Sequence, residues 1–144
     1  MLRVVIPGEP VAQGRPRGCV INGHVRMYDP KKSRTWKAGA QDFFRQAMAG
    51  TPMFEGPVSV EVVAVFTCPK GDHRKRTPVP QRPHAKRPDA ENVAKAVLDA
   101  ATGIVWQDDA QVSDLRVRKF IGAQGEAPGV RVYVYIPISG SEDL

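Results

Sequence analysis

Between Pro69 and Pro88 the chain reads PKGDHRKRTPVPQRPHAKRP, and this segment constrains the fold more than any other. Its five prolines fix φ and remove backbone donors, which forbids a helix or a central strand and favours an extended, solvated loop. The same twenty residues carry seven basic side chains, Lys70, Arg74, Lys75, Arg76, Arg82, Lys86 and Arg87, against one acid, Asp72. The remaining residues hold equal numbers of basic and acidic side chains, so this loop supplies the whole net charge of +6. A concentrated positive charge points to an anionic partner, and a loop this long in a compact domain is more often functional or disordered than neutral. Contact with nucleic-acid phosphates is the expectation, with a merely soluble loop as its rival. Arg15 and Arg17 in QGRPRG, followed by Lys31, Lys32 and Arg34, form a second basic cluster that would add phosphate contacts.

With 144 residues, 42% of them apolar and 25% charged, the chain is expected to form one globular domain over 1–144 with a core of its own. No run of about 18 apolar residues is present, and Pro7 and Glu9 arrive too early for a signal peptide, so neither membrane insertion nor secretion is expected. Cys19 and Cys68 lack CxxC spacing, so the expectation is a reduced, cytoplasmic protein without thiolate-held metal.

Leu2 to Ile6 reads as a strand, and Cys19–Ile21, Asn22-Gly23 and Val25–Tyr28 read as a hairpin. Ser33 is the expected N-cap of a helix ended by Gly50, with Trp36, Ala40, Phe43, Phe44, Ala47 and Met48 on its apolar face. Val58 to Cys68 is a half or wholly buried strand. Asp89 to Thr102 is a second helix stopped by Gly103, and strands follow near Val112–Ile121 and Val130–Ile138. The order predicts an α+β fold in which two helices pack on a mixed or antiparallel sheet.

The candidate chemistry lies in RPDAENVAKAVLDAATGIVWQDDAQV, Arg87 to Val112. Cleaving a phosphodiester with metal ions needs carboxylates brought together, because hard cations such as Mg²⁺ take oxygen ligands and retain waters. Asp89, Glu91, Asp108 and Asp109 are the supply. Residues two apart point to different helix faces, so Asp89 and Glu91 converge only if Asp89 sits at or before the N-cap, which Pro88 favours. Each acid also has a structural role open to it. Asp89 suits an N-cap, Glu91 suits the helix dipole and pairs at i,i+4 with Lys95, and Asp108-Asp109 suits a turn. Four acids and a lysine next to the most basic segment shift the reading towards metal, since acids repel a polyanion unless a cation bridges them. His24, His73 and His84 show no metal-ligand spacing and read as loop histidines within reach of phosphate. The chain has neither a Walker loop nor GxGxxG. Glu91 and Lys95 are four apart, so Pro88-Asp89 does not begin a PD-(D/E)xK signature.

This segment resembles the RusA family of Holliday junction resolvases of bacteria and their prophages. The family pattern P-D-x-D-N-x-x-K-x-x-x-D-A-L-x-G, then W-x-D-D-x-Q-V, matches most of Arg87 to Val112. Gly8, Pro10, Arg15, Pro16 and Arg17 match its opening G-x-P-x-x-x-x-R-P-R. The resemblance implies a small homodimeric Mg²⁺-dependent endonuclease, with Mn²⁺ as a substitute ion, that nicks a four-way junction symmetrically during recombination and repair. It places the three essential acids on Asp89, Glu91 and Asp109, with Asp108 beside them as a further metal ligand and the functional lysine on Lys95. The phosphate grip falls to Arg15, Arg17 and the Pro69–Arg87 loop. Glu91 stands where the family has aspartate, which moves the carboxylate outward by one methylene, and Ala101 replaces a common leucine. Two rivals stand beside the resolvase: a non-catalytic branched-DNA-binding module, and a metal nuclease acting on other DNA structures.

Overall fold

Nine residues from Val58 to Phe66, seven of them apolar and five of them valine, form the strand around which the molecule is built. A computed structural model describes residues 1–15 and 17–138. The strands are β1 (Leu2–Pro7), β2 (Arg17–Ile21), β3 (His24–Tyr28), β4 (Val58–Phe66), β5 (Arg82–Pro83), β6 (Val112–Ile121) and β7 (Gly129–Tyr135). The helices are α1 (Lys31–Met48) and α2 (Ala90–Ala101), with 3-10 turns at Lys70–Asp72 and Asp109–Gln111. Five strands make one sheet in the order β1-β7-β4-β6-β5, in which β4 runs parallel to β6 and every other pair is antiparallel. The sheet is therefore mixed and the fold α+β. The parallel pair needs a crossover, and the chain spends it on the basic loop and α2.

Alternate residues of β4, Val58, Val60, Val62, Ala64 and Phe66, meet Val4, Ile6, Val130, Val132 and Val134 on one sheet face. Onto that face pack Ala40, Phe44 and Met48 of α1 and Val93, Val97, Ala100 and Ala101 of α2. Val63 and Val65 on the other face are buried as well, as befits a central strand. The hairpin β2–β3 forms its own two-stranded sheet, turning at Asn22 and Gly23 with φ of 53° and 77°. Among the described residues no helix is long and apolar enough to cross a membrane.

Two sequence expectations change. Pro30, not Ser33, occupies the N-cap of α1, and Ser33 is buried in the first turn. Its hydroxyl accepts from Gly14 N at 3.0 Å and donates to Ala12 O at 3.3 Å, so it fastens the β1–β2 loop to the helix. A Cβ on Gly14 would come within 2.8 Å of the Pro30 ring, which is why that position takes glycine. The basic loop is also more ordered than its composition suggests. Gln124 accepts from the Arg74 and Val79 amides at 2.9 and 3.2 Å and donates to Arg74 O, while Val79 is buried and Arg82 pairs with Asp72. Arg82 and Pro83 then add a short edge strand beside Phe120 and Ile121.

His84 follows, its ring edge-on to Phe66 with centroids 4.8 Å apart. Burial, aided by the Lys119 ammonium, holds its pKa below the ordinary imidazole value. A histidine that resists protonation in the folded state binds fewer protons than the unfolded chain, so its contribution to stability falls as pH drops below about 6.5. Thermal melts at pH 7.5 and 5 are expected to show a larger acid-induced drop for wild type than for His84→Phe; equal drops would mean that His84 takes no part.

Candidate functional site

Helix α2 begins where the basic loop ends, and that junction sets the first acid. Asp89 occupies the N-cap with φ −66° and ψ 145°, and its carbonyl accepts from Val93 N at 3.1 Å. Its carboxylate makes no capping hydrogen bond. The side chain best suited to close the helix end is left exposed and free to bind something else. The residue before it, Pro88, follows Arg87 through a cis peptide.

Asp89 lines a cleft of about 670 Å³ together with Gln13, Arg15, Arg87 and Asn92. The β1–β2 loop forms the opposite wall, held there by the bond from Gln13 N to Asn92 O at 2.9 Å and by the Gly14–Ser33 contact. A second cleft of about 600 Å³ shares Ala12, Gly14, Arg15 and Pro88 with the first and extends past Lys32 to Glu9 and Phe66. The two clefts adjoin along these shared residues, Arg15 among them, and Asp89 lines the first alone. Glu91, at the second position of α2, is exposed, as is Lys95 one turn on. Among the described residues no ion pair joins them, so Lys95 is not spent on Glu91.

The second pair of acids sits in a short motif whose other members have structural tasks. Trp106 is fully buried, and its indole N–H donates to the Thr102 hydroxyl at 3.1 Å. One Asp108 carboxylate oxygen accepts from Ala110 N at 2.9 Å, and the Gln111 side chain answers by accepting from Asp108 N at 3.1 Å, a reciprocal capping box. Gln111 also donates to Phe54 O and Gly56 O, both at 2.9 Å, latching the turn to the segment before β4. Trp106, Asp108 and Gln111 thus hold the turn, and the Asp109 carboxylate has no hydrogen-bond partner among the described residues.

Asp109 lines a separate cleft of about 460 Å³ with Arg34, Lys37, Gln41, Asp99 and Thr102. Helix α1 forms its far wall. The structure therefore brings Asp89, Arg15 and Arg87 to one cleft and Asp109 to another. Among the described residues no three His, Cys, Asp or Glu side chains gather closely enough to hold a metal ion. A polar chain runs between the two clefts: Gln13 Nε2 donates to Asp29 at 3.0 Å, Lys37 donates to the other oxygen of Asp29, and Lys37 also lies 3.9 Å from Asp99. The hydrogen bond from Lys37 holds the Asp29 carboxyl below its usual range. Sequence reading missed Gln13, Asp29, Lys37 and Lys119, whose roles depend on partners distant in sequence.

Of the loop cations, Lys70, Arg74, Lys75, Arg76, Lys86 and Arg87 are exposed and form no ion pair among the described residues. Arg82 is engaged with Asp72. Arg17 begins β2, but its side chain is outside those described; Pro16 of the same opening pattern lies outside the described residues.

The family profile described as Endodeoxyribonuclease RusA matches residues 7–135. A relative from Bacillus subtilis (strain 168), the uncharacterized protein YqaN, is 38% identical over 139 residues, covering 92% of this chain and 94% of its own.

Proposed function

The chain belongs to the RusA endodeoxyribonuclease family, and from that premise we propose that it resolves four-way DNA junctions by paired, metal-dependent nicks. Family membership supports a nuclease that hydrolyses DNA. The observation that carries the finer reading is the cleft in which the uncapped Asp89 carboxylate stands with Arg15 and Arg87. An acid placed between cations at the end of a basic loop suits a site that must hold a phosphate and a divalent ion together.

The donor chemistry fits Mg²⁺, or Mn²⁺ in its place. Mg²⁺ is commonly held by one or two carboxylates while it keeps several waters, so a three-residue cage within one chain is not required. Asp89 and Glu91, on the first turn of one helix, are assigned to hold it; Asp109 is the third acid by the family motif alone, since it lines the neighbouring cleft. Asp108 contributes at most the carboxylate oxygen that its cap leaves over. When bound, the ion would supply an activated water and stabilise the leaving oxygen.

The other residues bind and orient. Arg15 and Arg87 grip the phosphates flanking the scissile bond, and Lys95, without an acid partner among the described residues, steadies negative charge developing on the phosphate. The exposed loop cations hold the DNA arms and carry little sequence information. A junction cut at two symmetric points needs two such sites, which an isologous homodimer supplies.

Cleavage of an end-labelled four-way junction beside a matched linear duplex, with Mg²⁺ and with EDTA, tests the reading. Paired symmetric nicks in the junction alone, requiring metal, are expected. Nicks in duplex or flaps with equal efficiency would make the protein a nuclease of different preference. Tight junction binding without nicks in Mg²⁺ or Mn²⁺ would make it a branched-DNA-binding module. The loop has its own test. Changing Arg74, Lys75 and Arg76 together to Gln is expected to weaken binding to junction and duplex alike and to lower the slope of log K against log salt by about 2–3. Loss on one substrate alone would show that these cations read shape.

A further inference from the structure

Lys119, near the end of β6, stands outside every motif that marks the site, yet its ammonium is directed at the turn that delivers Asp89. Nζ donates to Lys86 O at 2.7 Å and to Pro88 O at 2.6 Å, the carbonyls on either side of Arg87. Its own backbone carbonyl accepts from His84 N at 3.0 Å, so one strand residue fastens the chain at 84, 86 and 88. Among the described residues Lys119 makes no ion pair. A half-buried lysine that forgoes a carboxylate for two main-chain oxygens is being used for geometry.

We propose that Lys119 is a positioning residue for the active site: it fixes the Lys86–Pro88 turn and thereby sets where the uncapped Asp89 carboxylate stands. The inference rests on the nuclease reading for its catalytic consequence but on hydrogen bonds alone for the tie. Asp89 is the first residue after the tied segment and its carboxylate has no cap of its own. The backbone that precedes it is therefore a direct restraint on where it stands. An ammonium spans both carbonyls because its three N–H donors diverge from one nitrogen; a methionine of similar length reaches them with none.

The test compares Lys119→Met, Lys119→Gln and Lys119→Arg in the full chain. Lys119→Met is expected to slow metal-dependent junction nicking about 100-fold, as a displacement of about 1 Å in a reacting group does. Junction binding in EDTA should change less than two-fold, roughly the effect of losing a contact remote from the phosphates. Lys119→Gln, which keeps an uncharged amide donor group, and Lys119→Arg, which keeps a cation, should each recover part of the rate, and they carry the test if Lys119→Met does not fold. The double variant Asp89→Asn/Lys119→Met should be no slower than Asp89→Asn alone, because a residue acting through Asp89 has nothing left to position. Amide exchange across residues 86–93 should rise in Lys119→Met while β4 stays protected. Full nicking by Lys119→Met, additive losses in the double variant, or unchanged exchange would each overturn the proposal. Absence of nicking by the wild type would instead overturn the nuclease reading and the catalytic role with it, while exchange still decides whether the tie exists.

Discussion

Asp89→Asn is expected to lower metal-dependent nicking about 1000-fold, a loss of ~4 kcal/mol of transition-state stabilisation, with almost no change in thermal stability. The two effects separate because the side chain is not employed where its position would usually employ it. A capping aspartate replaced by asparagine keeps an acceptor, and this one caps nothing to begin with. What disappears is a negative charge at the helix N-terminus, worth about 0.3–1 kcal/mol at an exposed site. Nicking rates and thermal midpoints measured on the same preparations decide the matter. A variant that nicks at the wild-type rate would remove Asp89 from the metal set, and one that unfolds would make it a structural residue.

Trp106→Ala should be the most damaging single change to the fold, at about 3–5 kcal/mol. The indole is fully buried, its N–H bonds to Thr102, and its carbonyl accepts from Gly103 N at 2.7 Å. Removing it opens a cavity under the turn that carries Asp108 and Asp109. Urea denaturation should show the loss directly. Trp106→Phe, which fills much of the space but abandons the Thr102 hydroxyl, should cost less. If Trp106→Ala left the midpoint near wild type, the turn would have to be held by the Gln111 latch alone.

Regular elements were legible where the pattern is local. The strand near Val112–Ile121 was legible, and α2 follows from Pro88 before it, the stripe Val93, Val97, Ala100 and Gly103 after it. The geometric condition on Asp89 was also legible, and the N-cap placement meets it. Elements and contacts fixed at a distance were not. Ser33 looks like a cap because serine commonly is one, but its hydroxyl is claimed by Ala12 and Gly14, about twenty residues earlier. The basic loop looks solvated because nothing within it attracts a partner; its anchor is Gln124, fifty residues from Arg74. Within the candidate site, sequence brought the four acids together on a line of text. The fold gives Asp89 and Asp109 to different clefts, and it sets Asp108 to capping. The Glu91–Lys95 pair expected from i,i+4 spacing is absent among the described residues, since spacing permits such a contact without enforcing it.

The sheet's β6 side has a consequence for how the protein behaves in a crowd. Strand β5 covers only Phe120 and Ile121, so among the described residues most of the β6 margin has no neighbouring strand. An unpaired margin is a template for another chain, and unchecked templating ends in aggregates. Here the open stretch reads Ser113-Asp114-Leu115-Arg116, all exposed, with Arg118 beyond it, and β5 itself ends in a proline that cannot donate to a further strand. Charge and proline therefore act as gatekeepers against polymerisation. Exchanging Arg116 for valine would sacrifice no ion pair among the described residues, yet it would lengthen an apolar, β-branched run at an open edge. Its damage would surface in the insoluble fraction during expression rather than in the melting curve of whatever stayed folded.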